Sequence, residues 1–516
     1  MIATILSRIL GMIRETTIAY VYGASGKTDA FYLAFNIPEL IRTLVISGVL
    51  SAVFIPIFAD FQEKKSMDEA KRVSTEIFSS TTLIAVITCI LGIIFAPQVI
   101  LLAKGISARK IDPVTMYQAV KLTRIMFPML IFIALSGLMQ GMLNSRHDYK
   151  TPAFAPFLFN LTTIFTVIGF KIANPEFENI YILAVSIVAG DFLQTVVQIP
   201  ALKRLGFRLF KIPDFAHEAY KKFWDLAPAA MLGYATMVIN SFVDKAIAFG
   251  LVEGSITTLN YGFRVQQLPY SIFGVTLVTV LYPSIAQYIA AGRMKDLSRA
   301  LEMGVRLLAF TVIPSSVFFM AMSTVVIQFL FGHGKFGEST QAIIWSADAL
   351  RYYTIGIFPA VSLLLLSRVF FSFHDTKTPL KAGIFMVFLN YGLDQLLCTH
   401  FGVKGIAFAT SIVSFINCLI LMYFLNKRLP EIYGLFFNRN ILKIVIAGSI
   451  QFVALIFMVY GIHEIIPSPT TLQNFGIIVL GAIATVVIFG GLTLLMRCTE
   501  WKLLADYIAK RKKPVL

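Results

Sequence analysis

The chain has 516 residues, of which 57% are hydrophobic and only 14% charged, with a mean hydropathy of +0.78. An ordinary soluble domain carries about 25% charged residues, so a water-soluble globule is excluded, as are disordered, disulfide-scaffold and coiled-coil proteins. The balance is basic, 44 Lys and Arg against 28 Asp and Glu for a formal +16, and the positions of those cations decide what it means.

At about 20 apolar residues per crossing, membrane-spanning runs fall at 1–24, 28–60, 73–103, 120–143, 152–173, 179–202, 223–250, 255–289, 300–331, 341–372, 380–400, 403–426, 441–462 and 472–496. The expected fold is therefore an all-α polytopic membrane protein of 14 transmembrane helices. Several runs exceed the minimum, which fits tilting or kinks at Pro38, Pro128 and Pro359. The ten-residue alternation of a membrane β-barrel is absent. The first run lacks a basic leader and an A-x-A cleavage site, and Arg8, Arg14 and Glu15 interrupt it, so it reads as a retained helix. Cys89, Cys398, Cys418 and Cys498 form no C-x-x-C pair and indicate neither a metal site nor a disulfide framework.

Counting loops from the first helix, the even-numbered ones and the tail carry 27 Lys and Arg, against 7 in the odd-numbered loops. By the positive-inside rule both termini are expected in the cytoplasm. The basic loops and the tail Lys510–Lys513 then read as topology signals and contacts with membrane-lipid headgroups, and no nucleic-acid motif is present.

Ser145-Arg-His-Asp-Tyr-Lys-Thr-Pro152 recurs as Ser372-Phe-His-Asp-Thr-Lys-Thr-Pro379, six identities in eight at an offset of 227. Leu202-Lys-Arg-Leu205 is echoed by Asn426-Lys-Arg-Leu429. Both copies of the first motif join the fourth and fifth helices of a six-helix block. The chain thus divides into an N-terminal lobe at 1–205, a C-terminal lobe at 206–430 and a terminal helix pair with basic tail at 431–516. Parallel halves of this kind are a common transporter plan, with substrate at the repeat interface. The motif also suits a tight loop leading into a helix N-terminus, where Asp, Thr and Pro are favoured.

Charges inside apolar helices cost about 2.5 to 3.5 kcal/mol each on insertion scales and normally face a cavity or a partner. Lys121, Arg124, Lys245, Arg306, Arg351 and Arg368 lie near span ends and are expected to be structural. Arg8, Arg14, Arg42 and Arg264 are harder to place so. They sit on three helices with Glu15, Asp29 and Glu39, leaving an excess of guanidinium groups, whose planar fork suits a phosphate-type anion. Mutual pairing, Arg8 with Glu15 or Arg42 with Glu39, is the bland alternative. A second set is acidic: Asp244, then Asn390 and Asp394 at i, i+4, then Thr410. Such oxygen ligands suit Na⁺ or a proton, although Asp244 could instead pair with Lys245. Asp191 is unassigned. No nucleophile elbow or metal-spaced histidine is present, so no catalytic residue is expected.

Ser7-Arg-Ile-Leu-Gly-Met-Ile-Arg14, Thr28-Asp-Ala-Phe31 leading to Pro38-Glu-Leu-Ile-Arg42, Pro152-Ala-Phe-Ala-Pro156 with Asn160, and Arg264 before Pro269 together resemble the MurJ/MviN lipid II flippases of the multidrug/oligosaccharidyl-lipid/polysaccharide exporter superfamily. The likeness covers essentially the whole chain. It implies a bilobed transporter, not an enzyme, moving lipid II across the bacterial inner membrane by alternating access. It also implies Arg8, Arg14, Glu15, Asp29, Arg42 and Arg264 as substrate-binding residues around the pyrophosphate. Asp244, Asn390, Asp394, the carbonyl of Ile406 and Thr410 are implied as a sodium site. A monomer working beside cell-wall synthesis or division machinery is implied as well. Glu15 stands where the family often has Asp, and Phe263 where an Asp can precede Arg264. Two other classes stay open: an exporter of other lipid-linked glycans or drugs, and a membrane-embedded glycosyl or acyl transferase.

Overall fold

In hydrocarbon a chain segment must satisfy its backbone N–H and C=O groups internally, so long apolar runs become helices. The computed structural model describes residues 2–43, 54–107, 111–207, 218–430 and 438–501. The side chain of Arg42 and the basic tail Lys510–Lys513 lie outside the described residues.

In chain order come α1 (Ile2–Tyr22), α2 (Gly26–Thr43), α3 (Ile55–Lys64), α4 (Met67–Ile94), α5 (Ala96–Ser107), α6 (Pro113–Met126), α7 (Met129–Ser145), α8 (Lys150–Ala173), α9 (Ile180–Val196), α10 (Ile199–Arg204) and α11 (Glu218–Phe249). They are followed by α12 (Ser255–Pro269), a π-helical turn at Tyr270–Val275, α13 (Thr276–Ala290), α14 (Met294–Ala321), α15 (Ser323–Phe331), α16 (Gly334–Gly337), α17 (Thr340–Ile355), α18 (Ile357–Ser372), α19 (Lys377–Phe401), α20 (Val403–Arg428), α21 (Arg439–Ile465) and α22 (Thr471–Leu495). Each of the fourteen expected runs is helical over its described residues apart from short breaks. Pro128 lies at the break between α6 and α7, and Pro38 lies inside α2. A 45° bend separates α17 from α18; Pro359, lacking an N–H for the carbonyl four residues earlier, explains it.

Among the described residues, ten helices are long and apolar enough to cross a membrane, or eleven if the bent pair α17–α18 counts as one crossing. The other expected crossings are α1, α2 and α11. Two of these carry the intramembrane charges: Arg8, Arg14 and Glu15 in α1, and Asp29, Glu39 and Arg42 in α2. The features that weaken their hydropathy are thus the candidate functional groups themselves.

The chain forms two compact units, Met1–Thr257 with His333–Ser339, and Thr258–Gly332 with Thr340–Leu516. In the first, α1 packs along α8, α8 on α9, and α2 against α6 and α11. In the second, α20 packs against α17, α18 and α19, while α21 lies on α14 and α22. The repeat divides the sequence at 205/206 and the packing divides it at 257/258, because α11 rests on α2 and α5 of the first unit. One boundary follows the duplicated sequence, the other the contacts. Large apolar side chains also point outward, among them Phe388, Phe457, Val486 and Leu495. That pattern costs free energy in water and none in lipid.

Both copies of the repeated octapeptide adopt one conformation. His147 and His374 have φ of 60° and 58°. Asp148 N–H donates to the Leu143 carbonyl and His147 N–H to Asn144; Asp375 donates to Phe370 and His374 to Phe371. Each is a helix C-terminus closed by a left-handed residue. The Asp then caps the next helix: Asp148 Oδ1 accepts from Thr151 N at 3.2 Å, and Asp375 Oδ1 from Thr378 N at 3.0 Å. Asp375 also forms an ion pair with Arg428.

Candidate functional site

The charges near span ends have local partners. Arg306 reaches Glu500 at 2.7 Å, Arg351 reaches Asp348 at 3.1 Å, and Arg124 donates to the Ile93 carbonyl. Arg368 lies over the Tyr282 ring and Lys121 over Tyr117. Such contacts let the long stems stay in apolar surroundings while the heads are satisfied.

Arg14 is different. It lies mid-helix in α1 and is only 7% exposed, beside Glu15 at 2%. Its Nη2 donates to Glu15 Oε1 at 2.6 Å, and Glu15 Oε2 accepts from Tyr32 OH of α2 at 2.9 Å. The guanidinium plane sits 5.0 Å from the centroid of Phe159 in α8, within cation–π range. Arg14 Nε is buried without a hydrogen-bond partner. One residue further along α8, Asn160 Nδ2 donates to the Ser7 and Pro156 carbonyls, tying α8 to α1. Three helices of the first unit thus fix a guanidinium by one edge and one face. Buried donors left unpaired cost about 1 to 3 kcal/mol, so the remaining N–H is a fixed, preoriented site for an acceptor.

Sequence reasoning named Arg14, Glu15 and Asn160 but missed Tyr32 and Phe159. Aromatic residues are common in apolar helices, and neither position carried a pattern that set it apart. Arg8, one and a half turns earlier, is exposed. Arg42 lies in the last turn of α2, its side chain outside the description.

Asp29, expected among the arginines, is held by the segment that leads into α12. Its Oδ2 accepts from Gly254 N at 2.7 Å, and its Oδ1 from Thr257 N at 2.8 Å and Thr257 Oγ1 at 2.7 Å. Thr257 Oγ1 also lies 2.9 Å from Thr28 Oγ1. The carboxylate therefore sits on the open N–H groups where α12 begins, a favourable place for an anion. An i, i+n pattern within α2 gives no hint of donors more than 200 residues away.

In the second unit, Asn390 and Asp394 of α19 are buried side by side, Asn390 Nδ2 donating to Asp394 Oδ2 at 3.0 Å. On the adjoining α20, Thr410 Oγ1 donates to the carbonyl of the fully buried Ile406 at 3.1 Å. Carboxylate, amide, carbonyl and hydroxyl oxygens on two packed helices fit a hard cation in donor type. Asp244 of α11 belongs to the first unit, and Arg264 of α12 to the second.

A family model described as Lipid II flippase MurJ matches residues 18–490. The chain belongs to the MurJ family. Among MurJ relatives it is similar to the probable lipid II flippase MurJ of Buchnera aphidicola subsp. Baizongia pistaciae, 31% identical over 456 residues covering 88% of this chain and 87% of that one. It is 30% identical over 431 residues to the lipid II flippase MurJ of Burkholderia cenocepacia, with 82% of each covered. A solved structure of lipid II flippase MurJ in an inward closed conformation shares the fold, with a TM-score of 0.77, 24% identity and coverage of 96% and 98%. An inward-facing multidrug resistance transporter of the MATE family also matches, at a TM-score of 0.69 and 13% identity, covering 83% of this chain and 96% of that one. MurJ proteins are transporters rather than enzymes, so the transferase alternative falls away.

Proposed function

We propose that this protein is a lipid II flippase, moving undecaprenyl-pyrophosphate-linked peptidoglycan precursor from the inner to the outer leaflet of the bacterial cytoplasmic membrane by alternating access. The observation that carries the reading beyond family membership is the buried Arg14, gripped by Glu15 and backed by Phe159 with an N–H left over. A pyrophosphate oxygen is the acceptor such a group is built for, since charge-assisted hydrogen bonds are shorter and about twice as strong as neutral ones. Arg14 is the central pyrophosphate ligand, with Arg8 and Arg42 adding positive charge. Glu15 and Tyr32 orient Arg14, while Asp29 fastens the chain at Gly254–Thr257 instead of touching substrate. No covalent step is required.

Both termini lie in the cytoplasm in this reading, on the strength of the loop charges. Sodium is the proposed coupling ion, with Asp394, Asn390, the Ile406 carbonyl and Thr410 as its ligands. The membrane potential acting on the excess of arginines over acids, at about 2.3 kcal/mol per charge per 100 mV, supplies an additional bias. The deciding experiment is complementation of a flippase-depleted strain combined with a leaflet-accessibility assay for lipid II. Growth with lipid II reaching the outer leaflet is expected. Good expression with neither would overturn the assignment in favour of another lipid-linked glycan.

A further inference from the structure

The short turn between α1 and α2 is gripped from several directions by segments distant in sequence. From the α8–α9 loop, the Asn179 carbonyl accepts from Tyr22 OH at 3.3 Å and Phe177 meets the Tyr22 ring edge-on. From the segment before α12, Glu253 Oε2 accepts from Gly26 N at 3.2 Å. The third grip is the segment His333–Ser339, which packs with the first unit although both its ends continue into helices of the second.

That segment is a fitted finger. Gly334 has φ +57°, and a Cβ there would lie 2.4 Å from the Tyr20 carbonyl oxygen. Gly23 has φ +64°, and its Cβ would lie 3.2 Å from Lys335 Cβ. Gly334 is therefore required twice, by its left-handed backbone and by an approach no side chain permits, and Gly23 by its left-handed backbone with a tight contact beside it. Phe336 is fully buried. Lys335 closes the arrangement with an ion pair to Glu178 in the α8–α9 loop. Beside it lies a cavity of about 400 Å³ lined by Ser25, Lys27, Thr115 and Glu253 among others. Every loop involved is odd-numbered, the side expected to face away from the cytoplasm.

We propose that the finger His333–Ser339 is a latch, with Lys335–Glu178 as its releasable catch, which keeps the outer end of the first unit closed and must let go in each transport cycle. The close fit at Gly23 and Gly334 defines the seated position, and an ion pair partly open to water is the kind of contact that can be broken repeatedly. Surface pairs are weak, so the catch tunes an equilibrium rather than locking it. The side of the membrane and the transport cycle rest on the flippase reading; the latch itself does not.

Two measurements keep those apart. In detergent solution, a cysteine at Ser25 would be labelled with a maleimide; the four native cysteines are buried. Lys335→Glu and Glu178→Lys are each expected to speed labelling by roughly two- to fivefold, and the swapped pair Lys335→Glu with Glu178→Lys to return it to the original rate. Unchanged rates in both single variants, or no restoration by the swap, would overturn the latch whatever the substrate is. In membranes, Glu178→Cys with Lys335→Cys bridged by a short bis-methanethiosulfonate is expected to slow lipid II flipping more than tenfold, reversed by reductant. Bridged protein that flips at the unbridged rate would overturn the requirement for release.

Discussion

The Arg14 cluster and the Asn390–Asp394 pair are both buried polar groups within apolar helices, yet they are finished in opposite ways. In the first unit a cation is held by a carboxylate, a tyrosine behind that carboxylate and an aromatic face, with hydrogen-bonding capacity left on the cation. In the second, a carboxylate is flanked by an amide on its own helix, and a carbonyl and a hydroxyl pair on the helix packed against it. Charge inside a membrane is kept only where its surroundings offset it, and here the two sets of surroundings are built around opposite charges. In the proposed reading the basic cluster takes an anion and the acidic one a cation.

Breaking the first cluster should have the largest effect. Arg14→Ala is expected to abolish growth of flippase-depleted cells at normal protein levels, and Arg14→Lys to fail as well, because a single ammonium cannot grip carboxylate and phosphate as a fork does. Full complementation by Arg14→Lys would reduce the site to a point charge. Glu15→Ala strands a buried guanidinium and should cost about 3 to 5 kcal/mol of stability, read as a fall in unfolding temperature in detergent. Tyr32→Phe removes one hydrogen bond and should cost about 1 kcal/mol.

On the other side of the comparison, sodium is expected to raise the unfolding temperature, Asp394→Ala to erase that rise and Tyr32→Phe to keep it. A sodium shift that survives in Asp394→Ala would leave the acidic pair with a structural role alone.

The smallest effects belong to the repeated loops. Asp148→Ala and Asp375→Ala each lose a helix cap worth about 1 kcal/mol. Burial pushes the Asp375 carboxyl up, but the N–H and hydroxyl of Thr378 and the Arg428 guanidinium outweigh it and hold the group below the usual carboxylate range. A carboxyl depressed on folding stabilises fully above its unfolded pKa of about 3.9 and loses that contribution as pH falls through the lower folded value. The stability gap between the parent and Asp375→Ala, followed by unfolding from pH 6 downward, should therefore narrow only below about pH 4. A gap that is constant with pH would mean that the aspartate acts there through shape alone.

The helices were legible because lipid imposes one rule: apolar runs long enough to cross must be helical. The repeated loop was legible as a turn into a helix N-terminus, since Asp and Thr there have one local use, and both copies fold that way. Even within one helix the pairing was not legible: the sequence suggests Arg8 for Glu15, while the ion pair at the centre of the cluster is Arg14 with Glu15. What could not be seen were partners set by packing between distant helices. Tyr32 and Phe159 looked like two more aromatic residues in apolar runs, and Asp29 looked like one more intramembrane acid until its donors proved to lie at Gly254 and Thr257.

By itself the sequence determined the class of molecule, its crossings and its family, because hydropathy and motif spacing are local and additive. Tertiary structure decided which charge answers which. A buried ion is defined by the few atoms within about 4 Å of it, and the chain order does not reveal which helices supply them.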